Sequence, residues 1–263
     1  MAVIALTSAS GSPGVTTTAL GWALSRGRPT VLVDADPTGG AAMLAGYLRG
    51  QLAPPDALLE LWTAHQQGRL RAALPTLMVP LPGSQVSLLP GTRSHSQAHN
   101  LVGLWEPLLA ALKALEGTGQ DVIIDAGRLG LAGSPLPLLH GADLTLVVCR
   151  ADLVSLSALR SWLATLHTDL DEVGAASSLG VILVGPGRPY TETEVGNVLA
   201  HVCGGLSPVQ ASMAWDPKAA AVFSAGAHVR RSDSSRLVAS LRALDETARR
   251  SIAATTALRQ APA

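Results

Sequence analysis

Ser8-Ala9-Ser10-Gly11-Ser12-Pro13-Gly14-Val15-Thr16-Thr17-Thr18 is the stretch that decides how this chain folds. The run before it, Ala2-Val3-Ile4-Ala5-Leu6, is short, apolar and β-branched, as a buried parallel strand is. The run after it, Ala19-Leu20-Gly21-Trp22-Ala23-Leu24, predicts the opening of a helix. A strand, a glycine-bearing turn and a helix that starts on hydroxyl residues make a cradle for phosphate. Backbone N–H groups converge in the turn, and the helix N-terminus adds partial positive charge. Against the phosphate-loop spacing G-x-x-x-x-G-K-[ST], Gly14 takes the second glycine and Thr16 the hydroxyl, but Val15 stands at the lysine. Ala9 falls at the first glycine, with Gly11 available for the turn. The cradle is kept and its charge is not.

Two acidic segments follow the same logic. Thr30-Val31-Leu32-Val33 predicts a second strand, closing on Asp34-Ala35-Asp36-Pro37-Thr38-Gly39-Gly40. Acids at i and i+2 just beyond a strand sit at the carboxyl edge, where open α/β sheets bind ligands. One suits a metal-bound water and the other an attacking water; the alternative is an Asp-Pro turn into a helix near Ala41. In Asp121-Val122-Ile123-Ile124-Asp125-Ala126-Gly127 an apolar strand closes on an aspartate, the arrangement that holds a magnesium water shell. The plainer reading there is a buried strand with a polar end. Because Gly11, Asp34, Asp36 and Asp125 each follow a strand, they are expected at one edge of one sheet.

Further strands are expected at Val86–Leu89, 143–149, 179–185 and Val209–Met213, with helical segments over 41–74, 101–115, 153–170, 191–202, 218–224 and from Ser232 onward. Residues 80–83 and 92–100 read as loops and 128–137 as a flexible stretch. Leu156, Leu159, Leu163 and Leu166 form one stripe, and Leu237, Leu241, Leu244, Ala248 and Ile252 another, at the spacing of core-facing helices. Alternating strands and helices imply an α/β fold, a mostly parallel sheet flanked by helices on both faces. No internal repeat or linker divides the chain, so one domain is expected over 1–254, with a flexible tail at 255–263.

Composition narrows the partners. The 263 residues carry a formal net charge of zero, so bulk charge draws the chain neither to nucleic acid nor to acidic membrane. No basic region precedes the first apolar run, and no apolar run approaches the ~20 residues that span a bilayer, so a cytoplasmic protein is expected. Cys149 and Cys203 lack metal-ligand spacing and read as buried thiols. His95 and His99 are four apart without an accompanying Cys or carboxylate, and read as surface loop. Arg230, Arg231, Arg236, Arg242, Arg249 and Arg250 offer DNA a basic face, a secondary expectation that Asp245 and Glu246 dilute. The tail has neither an apolar nor a basic face for a membrane.

In the order of these segments, over roughly residues 1 to 250, the chain resembles the ParA/MinD family of deviant-Walker P-loop ATPases of the SIMIBI class. Ser10 to Thr17 is similar to that family's K-G-G-x-G-K-T-[ST], Asp34 to Gly39 to its D-x-D-P-Q-G, and Asp121 to Asp125 to its Walker B strand. Pro208 to Ala225 resembles the late strand, acidic turn and short helix that border the purine. The resemblance implies a homodimer closed over ATP and magnesium. Gly11, Ser12, Pro13, Gly14, Val15, Thr16 and Thr17 would line the phosphates. Thr16, Asp34 and Asp125 would hold magnesium, partly through water, and Asp36 would orient the attacking water if the site is active.

The family's loop carries one lysine for its own nucleotide and one that reaches the partner's; here they are replaced by Val15 and Ser10. A charged hydrogen bond to phosphate contributes about 1.5–3 kcal/mol, so losing one costs about one to two decades of affinity. The resemblance therefore implies a degenerate member, a dimerising scaffold or regulator that recruits a machine of secretion, pilus or partition type. The alternative is a slow ATPase, in DNA partition or positioning, whose missing charge comes from Arg128, Arg150 or Arg188.

Overall fold

Strands that are apolar on both faces need cover on both faces, and that requirement sets the architecture. The computed structural model describes residues 2–39, 42–187, 189–202, 209–229 and 232–260. The strands are β1 (Val3–Ser8), β2 (Thr30–Asp34), β3 (Val79–Pro80), β4 (Val86–Leu89), β5 (Asp121–Arg128), β6 (Leu144–Arg150), β7 (Leu179–Val184) and β8 (Val209–Met213). They form one eight-stranded sheet in the order β3-β4-β2-β5-β1-β6-β7-β8. Only β3 runs antiparallel, against β4. The helices are α1 (Val15–Ser25), α2 (Ala57–Gln66), α3 (Leu70–Ala73), α4 (His95–Ala98), α5 (Trp105–Lys113), α6 (Leu136–His140), α7 (Leu153–Glu172), α8 (Glu192–Val202), α9 (Pro217–Ala225) and α10 (Arg236–Gln260).

The period-2 alternation of the strands divides the core in two. Val3, Ala5, Val31, Val33, Val122 and Ile124 face a layer that includes α2, α5 and α7. Ile4, Leu6, Leu32, Ile123 and Leu146 face α1, α9 and α10. Leu159, Leu163, Leu166 and Leu170 are the buried stripe of α7. Leu237, Leu241, Leu244 and Ala248 are that of α10, with Ile252 half-buried behind them. At Gly21 a side chain would come within 2.9 Å of Leu241, which is why α1 and α10 can approach so closely there.

The amino edge of the sheet is tied by charge. Arg26, directly after α1, is buried and bonds Asp121 at the start of β5 and Asp245 in α10, each at 2.7 Å. Arg28 reaches the same two acids at 2.9 and 3.3 Å. The Trp22 indole N–H donates to Asp245 at 2.9 Å, and the Arg26 guanidinium lies over the indole ring. The backbone N–H of Ala2 donates to Asp121 at 2.9 Å.

Several local expectations are corrected. The loop expected at 80–83 begins inside a two-residue edge strand, β3. Segment 92–100 is not a loop, because Ser94 and Gln97 form a reciprocal capping box that starts α4. The flexible stretch expected from Arg128 is ordered at both ends, by β5 and by α6. The 101–115 helix is α only over α5, with 3₁₀ turns at His99–Leu104 and Ala114–Thr118. The tail expected from Thr255 continues α10 through Gln260, and Thr255 itself is buried. Gly40, Ala41, Arg188, Cys203, Pro208, Arg230 and Arg231 lie outside the described residues. Among the described residues no helix is long and apolar enough to cross a membrane.

Asp245→Ala should destabilise the fold by about 3 kcal/mol, since it leaves a buried guanidinium half-matched. Urea unfolding followed by circular dichroism measures this. A loss below about 1 kcal/mol, the value of an exposed pair, would mean that Arg26 is hydrated in solution.

Candidate functional site

The turn after β1 closes on Gly14, the residue before α1, which sits at φ 101°, a left-handed conformation that glycine adopts without strain. Gly11 is left-handed too, at φ 62°. The Gly14 carbonyl accepts the first helical bond, from the Thr18 N–H at 2.8 Å. No side chain caps α1 and no acid stands in its first turn, so the positive end of the helix is left for a ligand. The loop from Gly11 to Thr17 walls a cavity of about 500 Å³, completed by Asp36, Thr38, Gly127 and Arg128 and, from α9, by Phe223 and Ser224. A second cavity, of about 240 Å³, lies on the other flank of Ser12, Pro13, Gly14 and Thr17, against Arg150, Trp215 and Asp216.

The acids gather where their strands end. Asp34 and Asp125 are register partners on β2 and β5, and Leu6 of β1 pairs with Asp125 on its other side. Both carboxyls are buried. Asp34 Oδ1 accepts from the Asp36 N–H at 3.4 Å, Asp125 Oδ1 from the Gly127 N–H at 3.0 Å, and Asp36 Oδ1 from the Thr38 N–H at 2.9 Å. Two glycines make the room. A Cβ at Gly91 would lie 2.7 Å from the Asp34 carboxyl carbon, and one at Gly127 2.5 Å from that of Asp36.

Burial first, then the charges of Asp125 and Asp36, pushes the Asp34 pKa up to about 8. Burial, with the charge of Asp36, raises that of Asp125 to about 6, against the downward pull of the Thr16 hydroxyl and the Gly127 N–H. Asp125 Oδ2 is buried without a hydrogen-bond partner. An orphaned carboxylate oxygen beside a second buried acid and a threonine hydroxyl fits a hard divalent cation. Among the described residues no three His, Cys, Asp or Glu side chains could hold an ion by themselves. Such a cation would take its remaining oxygens from Thr16, water and ligand.

All of the sequence-predicted site residues from Gly11 to Thr17, with Asp34, Asp36 and Asp125, meet at this edge. Val15 walls the cavity but also packs into the α1 core layer, 7% exposed. Arg150 donates to the Ser12 carbonyl at 2.8 Å and stacks over Trp215, so it braces the loop. Cys149 is a buried thiol whose pKa burial pushes up to about 12, as an inert core cysteine requires. Sequence reasoning missed Gly91 and Gly127 as space-makers and Trp215 as a cavity wall. The Pro90-Gly91 turn and the tryptophan directly before Asp216 were the available signals.

No protein-family model and no curated protein matches the sequence. Solved structures do match its fold. McdA from Cyanothece, in complex with ATP, is 22% identical, with a TM-score of 0.70 over 94% of this chain and 96% of its own. The septum site-determining protein MinD from Pyrococcus horikoshii, complexed with Mg-ADP, is 19% identical, with a TM-score of 0.66 over 92% and 93%. A ParA family ATPase from Chlorobium tepidum is 17% identical, with a TM-score of 0.69 over 94% and 98%. The chain has a ParA/MinD-like fold.

A carboxyl whose pKa is raised by folding keeps a proton that the unfolded chain gives up near 4, so its ionisation works against the fold. In the absence of ligand, the contribution of Asp34 to stability should be greatest below about pH 4 and decline as pH rises toward about 8, where Asp34 ionises. Asp34→Asn should melt above the parent protein at pH 8 and lose that advantage toward pH 4. Parallel melting curves for the two proteins across this range would rule out Asp34 as the strained acid.

Proposed function

We propose that this chain is a dimerising scaffold or regulator that responds to Mg-ATP weakly and positions or recruits a partner machine of secretion, pilus or partition type. The observation that carries the reading is the orphaned Asp125 carboxylate beside a phosphate-type loop whose lysine position is Val15. A site relieved of all nucleotide chemistry has no use for two buried acids in mutual repulsion. A point variant of McdA is complexed with ATP, and a MinD with Mg-ADP, on this same fold.

The parts divide the work as follows. The loop N–H groups and the α1 N-terminus take phosphate oxygens. Thr16, Asp34 and Asp125 hold magnesium, partly through water, and the ion when bound offsets phosphate charge. Asp36, fixed by the Thr38 N–H, is placed to orient a water. Leu153 and Val154 are 67% and 79% exposed just after β6 at the same edge of the sheet, and give a second copy apolar area to dock on.

Retention of Asp36 favours a second reading, a slow ATPase in DNA partition or positioning. DNA itself has thinner support. Arg242, Arg249 and Arg250 are exposed on α10, but Glu246 stands among them and the chain is neutral overall.

Calorimetric titration with Mg-ATP and Mg-ADP, with mass followed by light scattering, tests the proposal. Weak binding coupled to dimer formation is expected. Val15→Lys should tighten nucleotide binding about 10- to 100-fold, the value of one charged hydrogen bond, and lower stability because Val15 is packed in the core. No nucleotide binding by either protein, or no gain with the lysine, would overturn the reading. Steady phosphate release by the parent protein, lost in Asp36→Ala, would favour the ATPase instead.

A further inference from the structure

We infer that Arg128 is the phosphate-binding cation of this site, holding the polyphosphate of a nucleotide from the end of β5 in place of the lysine that Val15 replaces. The inference rests on the nucleotide reading above and names the residue that supplies its charge. The first observation is chemical. Asp36 walls the 500 Å³ cavity, while among the described residues Arg128 is the only lysine or arginine that lines it. A polyphosphate needs positive charge there beyond what helix and loop N–H groups provide.

The second observation is how Arg128 comes to be there. Strict alternation along β5 sends Ile123 and Asp125 to the α1 side of the sheet and Ile124 and Ala126 to the other. Continued unbroken, it would put Arg128 on the far side, away from the loop. The β1–β5 pairing slips instead. Leu6 pairs with Asp125, yet Ser8 pairs with Arg128, so two steps on β1 face three on β5. One extra residue reverses the side on which everything after it points. Arg128 is turned into the cavity and Leu129 into the opposite core.

The bulge is built in. The Thr7 hydroxyl donates to the Gly127 carbonyl at 3.0 Å, and the Leu129 N–H to the Ser8 carbonyl at 2.9 Å. Gly127 takes φ +64° with its Cα against the Asp36 carboxyl, a place where a Cβ does not fit.

The third observation is availability. Arg128 is exposed, and its side chain makes no hydrogen bond or ion pair among the described residues. Arg150 is committed to Ser12 and Trp215 on the other cavity, and Arg26 and Arg28 to the acids at the opposite edge of the sheet. A guanidinium on a long stem grips phosphate oxygens two at a time.

The experiment titrates the full chain and its Arg128→Ala, Arg128→Gln and Arg128→Lys variants with Mg-ATP, sodium tripolyphosphate and adenosine. The alanine and glutamine variants should lose about 10- to 100-fold in affinity for ATP and tripolyphosphate alike. Adenosine binding and the melting temperature should not move, and lysine should restore part of the loss. Lys113→Ala, which removes a charge at the exposed end of α5, should change neither polyphosphate affinity. If the alanine and glutamine variants bind tripolyphosphate as tightly as the parent, Arg128 is overturned while the nucleotide reading stands. If the parent binds neither ATP nor tripolyphosphate, both fall.

Discussion

Asp34 and Asp125 sit side by side on neighbouring parallel strands, out of water, and two carboxylates in that position resist being ionised together. The register of β2 on β5 enforces the proximity, so no side-chain rotation relieves it. The surroundings do so in part. The Gly127 N–H and the Thr16 hydroxyl pull Asp125 back toward ionisation, and the Asp36 N–H does the same for Asp34. One oxygen of Asp125, Oδ2, is buried without a hydrogen-bond partner among the described residues. A divalent cation would turn this repulsion into attraction, and the glycines at 91 and 127 are what allow the backbone to close around acids held so near.

The contrast between the two edges of the sheet shows where the fold spends stability and where it withholds it. At the amino edge, two arginines pair with two aspartates around Trp22, and the cluster ties α1, β5 and α10 together. At the carboxyl edge, acids face acids and the Arg128 side chain has no hydrogen-bond or ion-pair partner among the described residues. Both edges are bounded by the same strands. Their difference lies in which charges the loops bring, and it marks the second edge as built for something that arrives from solution.

Much of this was legible in the sequence, for reasons that can be named. The central strands are dense in Val, Ile and Leu, and β2 closes on Asp34 while β5 runs through Asp125 to Gly127, so their positions and their common edge followed from pattern alone. The phosphate-type turn was legible because Gly14 needs a conformation other residues resist. What escaped depends on contacts between distant segments. The capping box of Ser94 and Gln97 was written in the spacing, yet the polar run around it read as loop. Arg26 gives no sign in the sequence of being buried, because its partners lie 95 and 219 residues away, at Asp121 and Asp245. The slip between β1 and β5 has no signal except Gly127, and a glycine after an aspartate reads as an ordinary turn.

That slip bears on what the loss of the loop lysine means. A lysine at position 15 would supply charge from the first turn of α1, where Val15 instead fills core volume against β1 and α10. Read residue by residue, the exchange removes a cation and adds packing. Read through the sheet, it leaves the cavity with a cation from the neighbouring strand, turned inward by a single inserted residue. Whether a degenerate phosphate loop is dead is therefore a question about the whole carboxyl edge and not about the loop. A bulge beside the loop bears on that question as much as the loop residue does, because electrostatic attraction depends on where the charge sits and not on which segment delivers it.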